Sequence, residues 1–156
     1  MLCNEWRVME KVDLTMIAGD EVFEGVRAAF PVSSASGTAA TAVVYMQLEP
    51  GAELPEHRDS AEELLLGLEG EVEAFVDGES GPLGEGQIAV VPPMAPHGLR
   101  NVGTEPARVL GFFGSATNVS TFTKPFGPEG VRVFVIGAPM MMAAPLEEAA
   151  LPAGRS

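Results

Sequence analysis

Gly51-Ala52-Glu53-Leu54-Pro55-Glu56-His57-Arg58-Asp59-Ser60-Ala61-Glu62-Glu63-Leu64-Leu65-Leu66-Gly67-Leu68-Glu69-Gly70 carries one of the two histidines of this chain. Gly86-Gln87-Ile88-Ala89-Val90-Val91-Pro92-Pro93-Met94-Ala95-Pro96-His97-Gly98-Leu99-Arg100-Asn101 carries the other. Side chains at i and i+2 of a strand share a face. His57 and Asp59 therefore project together, and Glu63 can join them after the Ser60-Ala61-Glu62 turn. His97 follows a proline-stiffened segment that can deliver its imidazole from a separate strand. Two imidazoles with a carboxylate make the donor set of a non-haem iron facial triad, and the same set suits manganese, nickel, zinc or copper.

The two stretches resemble the paired signature motifs of the cupin superfamily. Gly51, His57, Glu63 and Gly70 stand where the first motif has Gly, His, Glu and Gly. Gly86, Pro92, His97 and Asn101 match the second. There are two departures: Asp59 replaces the family's second histidine, and Met94 replaces a glycine. Glu62 competes with Glu63 for the ligand place, but the spacing to Gly70 selects Glu63.

The resemblance spans Gly25 to Phe113 and implies an all-β fold, a cupin-like jelly-roll β-barrel with N- and C-terminal extensions. The expected divisions are an N-terminal extension (1–24), the barrel (25–137) and a C-terminal tail (138–156). It also implies one divalent metal ion inside the barrel, held by His57, Asp59, Glu63 and His97. Oxygen in place of nitrogen at position 59 favours iron or manganese over copper, with zinc and nickel also compatible. Asp59 has three readings near the ion: direct ligand, ligand through water, or free base, with a structural hydrogen bond as a fourth. A glycine that allows a tight turn is replaced by Met94, so a positive φ there would cost stability.

The expected function is a metal-dependent enzyme acting on a small-molecule substrate, first of all an Fe(II) or Mn(II) dioxygenase, with Asp59 and Glu63 as proton acceptors. The alternatives are a non-redox isomerase, cyclase or lyase, or a small-ligand-binding module without catalysis. Fold alone does not choose among them. Tyr45 and Gln47 share one face of a candidate strand and are candidate substrate contacts, and Arg100 is a candidate for holding an anionic group. Gly67 either leaves room for substrate or is needed for sheet packing.

Around these stretches, apolar runs broken by Gly, Pro, Asp and Asn have the spacing of an all-β sandwich or barrel. Candidate strands are 41–48, 63–68, 71–76, 87–91, 98–102 and 108–113, with shorter flanking strands at 6–13 and 25–30. Turn signals lie at Glu49-Pro50-Gly51, Asp77-Gly78, Gly81-Pro82 and Gly103-Thr104-Glu105-Pro106. Residues 33–38 read as a surface loop, and 147–151 as a short turn of helix.

At 156 residues with 46% apolar content, the chain suits one domain with a real core. Its net charge of −13 repels nucleic-acid phosphates and anionic membranes, so neither is an expected partner. No run reaches the roughly 18–20 apolar residues that span a bilayer. Without the apolar stretch of a secretory signal, the expected location is the cytoplasm. Cys3 is the only cysteine, which excludes an intramolecular disulfide. Both histidines stand in ligand positions, which leaves none to serve a Ser–His–Asp hydrolase. Asn118-Val119-Ser120 matches the glycosylation triplet by chance, and Met140–Met142 reads as flexible apolar filler. A homodimer is the expected assembly, its extensions wrapping the partner and protecting strand edges.

Overall fold

Strands β1 (Asp20–Phe23), β2 (Val26–Val32), β3 (Ala42–Leu48), β4 (Glu53–Asp59), β5 (Glu63–Glu69), β6 (Val72–Val76) and β7 (Glu79–Leu83) make up the first half of the fold. Strands β8 (Ile88–Val91), β9 (His97–Arg100), β10 (Ala107–Phe113), β11 (Asn118–Phe126), β12 (Val131–Ile136) and β13 (Ala143–Ala144) follow. The structure is a computed structural model that describes residues 9–137 together with β13.

The strands form two antiparallel sheets, ordered β1-β2-β3-β10-β5-β8 and β13-β12-β11-β4-β9-β6-β7. This is a jelly-roll barrel. From β3 to β6 and again from β7 to β11, consecutive strands alternate between the sheets: β4 and β5 lie in opposite sheets, as do β8 and β9. That crossing brings the two sequence stretches together from both walls.

The interior is built by period-two alternation. In β5, Glu63, Leu65 and Gly67 are buried while the residues between them are half-exposed, and in β10 Ala107, Val109, Gly111 and Phe113 are buried. Leu48, Leu54, Leu65, Val72, Leu99, Val109 and Ile136 belong to one continuous apolar core. Burial of each such aliphatic side chain contributes about 1.5–3 kcal/mol. Asp77-Gly78 is a two-residue hairpin loop between β6 and β7, with Val76 paired to Glu79 and both central residues at positive φ (51° and 83°). An Asp-Gly pair tolerates this conformation better than almost any other.

Three local expectations change. Residues 9–13 are not a strand; a 3-10 turn, Leu14–Met16, follows them with Asp13 capping its N-terminus, and the rest of the 6–13 segment lies outside the described residues. Gly81-Pro82 is no turn but the middle of β7. That strand is the sheet's edge, where proline's missing N–H breaks no ladder. Within 33–38, Ser33 and Ser36 close a capping box around the 3-10 turn Ser34–Ser36. Cys3, Met140–Met142 and the 147–151 helix lie outside the described residues. Among those described, no helix is long and apolar enough to cross a membrane.

Candidate metal centre

Strand β4 supplies His57 and Asp59 through a bulge. It pairs with β9 at Leu54↔Leu99 and at His57↔His97, so one extra β4 residue fits between those pairs. The insertion shifts the parity of the strand, and Leu54 and His57, three apart, both line the interior. Bulges commonly re-aim a side chain beside a functional site, and Pro55 is tolerated in one. His97 opens β9 directly opposite His57, and Glu63 opens β5 in the facing sheet.

The four residues are buried, and each offers a ligand atom within 4.8 Å of the others. His97 Nε2 lies 2.9 Å from Asp59 Oδ2 and 3.0 Å from Glu63 Oε2, and His57 Nε2 lies 3.5 Å from Asp59 Oδ2. On the far side of each ring, Nδ1 of His57 meets the carbonyl of Pro55 at 2.8 Å, and Nδ1 of His97 meets that of Ala95 at 2.9 Å. A carbonyl only accepts, so each Nδ1 carries the proton. Each Nε2 therefore faces the carboxylates, and a positive charge is needed between them: a proton on the ring nitrogen when no ion is bound, or a cation in its place.

Asp59 Oδ2 is buried without a hydrogen-bond partner, although His97 Nε2 is near. The two atoms converge on a common point instead of addressing each other. The donor chemistry and this orphaned oxygen fit a single divalent cation held by His57, Asp59, Glu63 and His97. Carbonyl-anchored imidazoles are the usual outer support of such ligands.

Asp59 is held from behind. Its Oδ1 accepts hydrogen bonds from Asn118 Nδ2 at 2.8 Å and from the Ser120 hydroxyl, and both residues are buried on β11. Asn118 also receives the backbone N–H of Ala61 at 3.1 Å, tying the β4–β5 turn to the same strand. The Asn-Val-Ser triplet, read as a chance glycosylation match, is this support. The available signal was an i, i+2 pair of polar residues on an apolar strand.

Protonation follows from these neighbours. Burial opposes charge on Asp59, but the His57 and His97 imidazoles beside it prevail and lower its pKa below the usual carboxylate value. Glu63 is pushed up to about 7, chiefly by burial and further by the Asp59 charge, despite its bond to His97. Burial would lower His97, but its bonds to Asp59 and Glu63 outweigh that and raise it to about 10.

Above the cluster lies a cavity whose walls are apolar and whose polar lining is the four residues and Ser120. Five half-buried phenylalanines shape it: Phe23, Phe30, Phe122, Phe126 and Phe134. Phe122 stacks on His57 with ring centroids 4.5 Å apart and planes 20° apart. The sequence reading missed all five, which lie outside the two signature stretches.

Other candidates sit elsewhere. Tyr45 and Gln47 line a separate recess with Arg27 and Gly19, while Val44 and Met46, on the opposite face of β3, line the metal cavity. Arg100 is exposed on the outer face of β9, paired across the ladder with Glu53 and Glu73. Glu62 is exposed and Glu63 buried. The space beside Gly67 belongs to packing: an added Cβ would stand 2.0 Å from the Gly84 carbonyl oxygen. Met94 does adopt positive φ, 63°; its N–H bonds the Asp59 carbonyl at 2.7 Å and its carbonyl receives Arg58 at 2.8 Å. These bonds offset a backbone cost of about 1–2 kcal/mol.

Residues 44–113 match the family model described as a cupin domain. No curated protein matches the chain. Among solved structures, a sugar phosphate isomerase from a cupin superfamily, from Silicibacter pomeroyi, is 19% identical with a TM-score of 0.64, over 92% of this chain and 98% of that one. The polyketide cyclase RemF from Streptomyces resistomycificus is 18% identical with a TM-score of 0.58, over 68% and 79%. Recombinant oxalate oxidase in complex with glycolate is 22% identical with a TM-score of 0.59, over 63% of this chain, which spans only 55% of that protein. At these identities the likeness is one of fold.

Proposed function

With a cupin domain at residues 44–113, the chain is, we propose, a metal-dependent enzyme acting on a small organic molecule, first of all a dioxygenase using iron or manganese. The observation that carries this reading is the orphaned Asp59 Oδ2 converging with two carbonyl-anchored imidazoles and Glu63. A divalent ion there supplies a Lewis acid and, if iron or manganese, an electron relay. The donor set includes the two histidines and carboxylate of a facial triad, and its oxygen-rich balance favours those harder metals.

The chain's own residues contribute position and protons. The Pro55 and Ala95 carbonyls fix both rings with Nε2 inward, and Asn118 and Ser120 hold one Asp59 oxygen so that the other is presented. Glu63, a buried carboxylate beside the ion, is placed to take a proton from an acidic substrate hydroxyl as it docks. The apolar walls exclude bulk water from that step.

A second reading rests on the same Glu63. A buried carboxylate beside a Lewis-acidic ion also suits proton shuttling in an isomerase, cyclase or lyase. Oxygen-electrode and anaerobic assays over a panel of enolisable ketones and phenols separate the two. Turnover that consumes dioxygen supports the dioxygenase; turnover unchanged without dioxygen contradicts it and favours the second reading. We also propose a homodimer through the outer face of the six-stranded sheet, where Ile88 and Val90 are 59% and 58% exposed beside Phe112. Sedimentation equilibrium giving a monomer would contradict that assembly.

A further inference from the structure

The walls of the metal cavity specify what enters it. We propose that the site takes a largely apolar, uncharged or singly charged molecule that presents an oxygen donor to the metal, and that Phe23, Phe30, Phe122, Phe126 and Phe134 form its body-binding subsite. This proposal rests on the metal reading of the His57–Asp59–Glu63–His97 cluster.

Three observations converge. The rings form one connected set: Phe23–Phe122, Phe23–Phe126, Phe122–Phe126 and Phe30–Phe134 have centroids 4.8–5.5 Å apart, and Phe126–Phe134 are at 6.1 Å. Through Phe122 the set reaches His57, so the aromatic wall runs down to a metal-ligating ring. Such half-buried rings, without a polar partner of their own, gain most from covering another apolar or aromatic surface.

The second observation is charge. Among the described residues, no Lys or Arg lines the cavity, and Arg100, the cation nearest in sequence to His97, faces outward. Asp59 and Glu63 already neutralise a divalent ion. A dicarboxylate or a phosphate ester entering there would bring further negative charge into apolar surroundings with no guanidinium or ammonium to meet it, which is costly. Sugar hydroxyls fare little better, because among the described residues Ser120 is the only hydroxyl in the lining and it is committed to Asp59.

The third is size. The cavity, mouth included, is about 570 Å³, in the range of sites that enclose a small organic molecule.

The test uses chelators with one head and different bodies: acetohydroxamate, benzohydroxamate and 2-naphthohydroxamate. Each is titrated into the full-length protein loaded with cobalt(II), whose visible absorption reports coordination of the head directly, with affinities corrected for binding to free cobalt. The expected result is benzohydroxamate tighter than acetohydroxamate by about tenfold or more, from the apolar area it buries, and the naphthyl compound at least as tight. In Phe126→Ser and Phe30→Ser, whose rings pair with other phenylalanines and not with His57 or His97, that gain shrinks while acetohydroxamate affinity and the cobalt spectrum stay the same. Equal wild-type affinities across the series overturn the proposal without needing either variant to fold, and so does a gain that survives both substitutions. A bound-cobalt spectrum that no hydroxamate perturbs overturns this proposal alone, whereas cobalt that gives no protein-bound absorption before any hydroxamate is added overturns the metal reading, and this proposal falls with it.

Discussion

At the scale of single residues, the centre depends as much on what stands behind the ligands as on the ligands themselves. Asp59 is useful to a metal only if one oxygen is tied and the other is free, and Asn118 and Ser120 do the tying. Ser120→Ala removes one of these donors with little change in volume. The expected outcome is metal affinity weaker by about tenfold or more, as for other outer-sphere partners, with about 1–2 kcal/mol of stability lost. Calorimetric metal titration and thermal melts check it; unchanged affinity would show that Asp59 needs no such orientation. His57, Glu63 and His97 were legible because two spaced motifs named them. Asn118 and Ser120 were not, because their polar alternation also matches a common surface triplet. Tyr45 and Gln47 were assigned a face that periodicity could not decide. β3 is buried along nearly its whole length, since its outer side is covered near residues 17–19 while Val44 and Met46 face the cavity.

At the scale of elements, β10 makes room for a ligand on its neighbour. Gly111 sits on the interior face beside Glu63, and an added Cβ would stand 2.2 Å from Glu63 Oε1 and 2.5 Å from Val44 Cγ1. Gly111→Ala therefore forces either the carboxylate or the sheet to move. Destabilisation of about 1–3 kcal/mol is expected from overpacking, with metal content reduced because Glu63 is displaced. Circular dichroism melts and elemental analysis of the same preparation measure both, and a variant with wild-type metal and stability would contradict the packing account. The strands from 41 to 113 were largely readable from alternation and turn residues, the Asp77-Gly78 hairpin most directly. The β4 bulge was not: inserting one residue is a pairing property, visible only once β9 lies alongside. β7 was missed because proline reads as a breaker in a lone sequence, whereas an edge strand tolerates it.

For the whole molecule, the proton inventory sets how the metal arrives. Without metal, His97 titrates at about 10 and Glu63 at about 7, both above their ordinary values. Metal ligands must be deprotonated. At pH 8 Glu63 is mostly ionised and His97 mostly protonated, so binding expels about one proton. Apparent affinity should climb by about tenfold per pH unit between 7 and 10, then level off. Calorimetry in buffers of different ionisation heat reads the released proton directly; binding that releases none would show that His97 is already neutral. The phenylalanine walls belong to this scale too. They are gathered from β1, β2, β11 and β12, and lie together only because both sheets close over the cluster.

The central claim is that four buried residues hold one ion, and elemental analysis of protein purified without a histidine tag tests it most directly, on the wild type alongside His57→Ala and His97→Ala. The account predicts near-stoichiometric metal, iron or manganese first, in the wild type and its loss in both variants. No metal in the wild type after reconstitution, or equal metal in all three proteins, would contradict it.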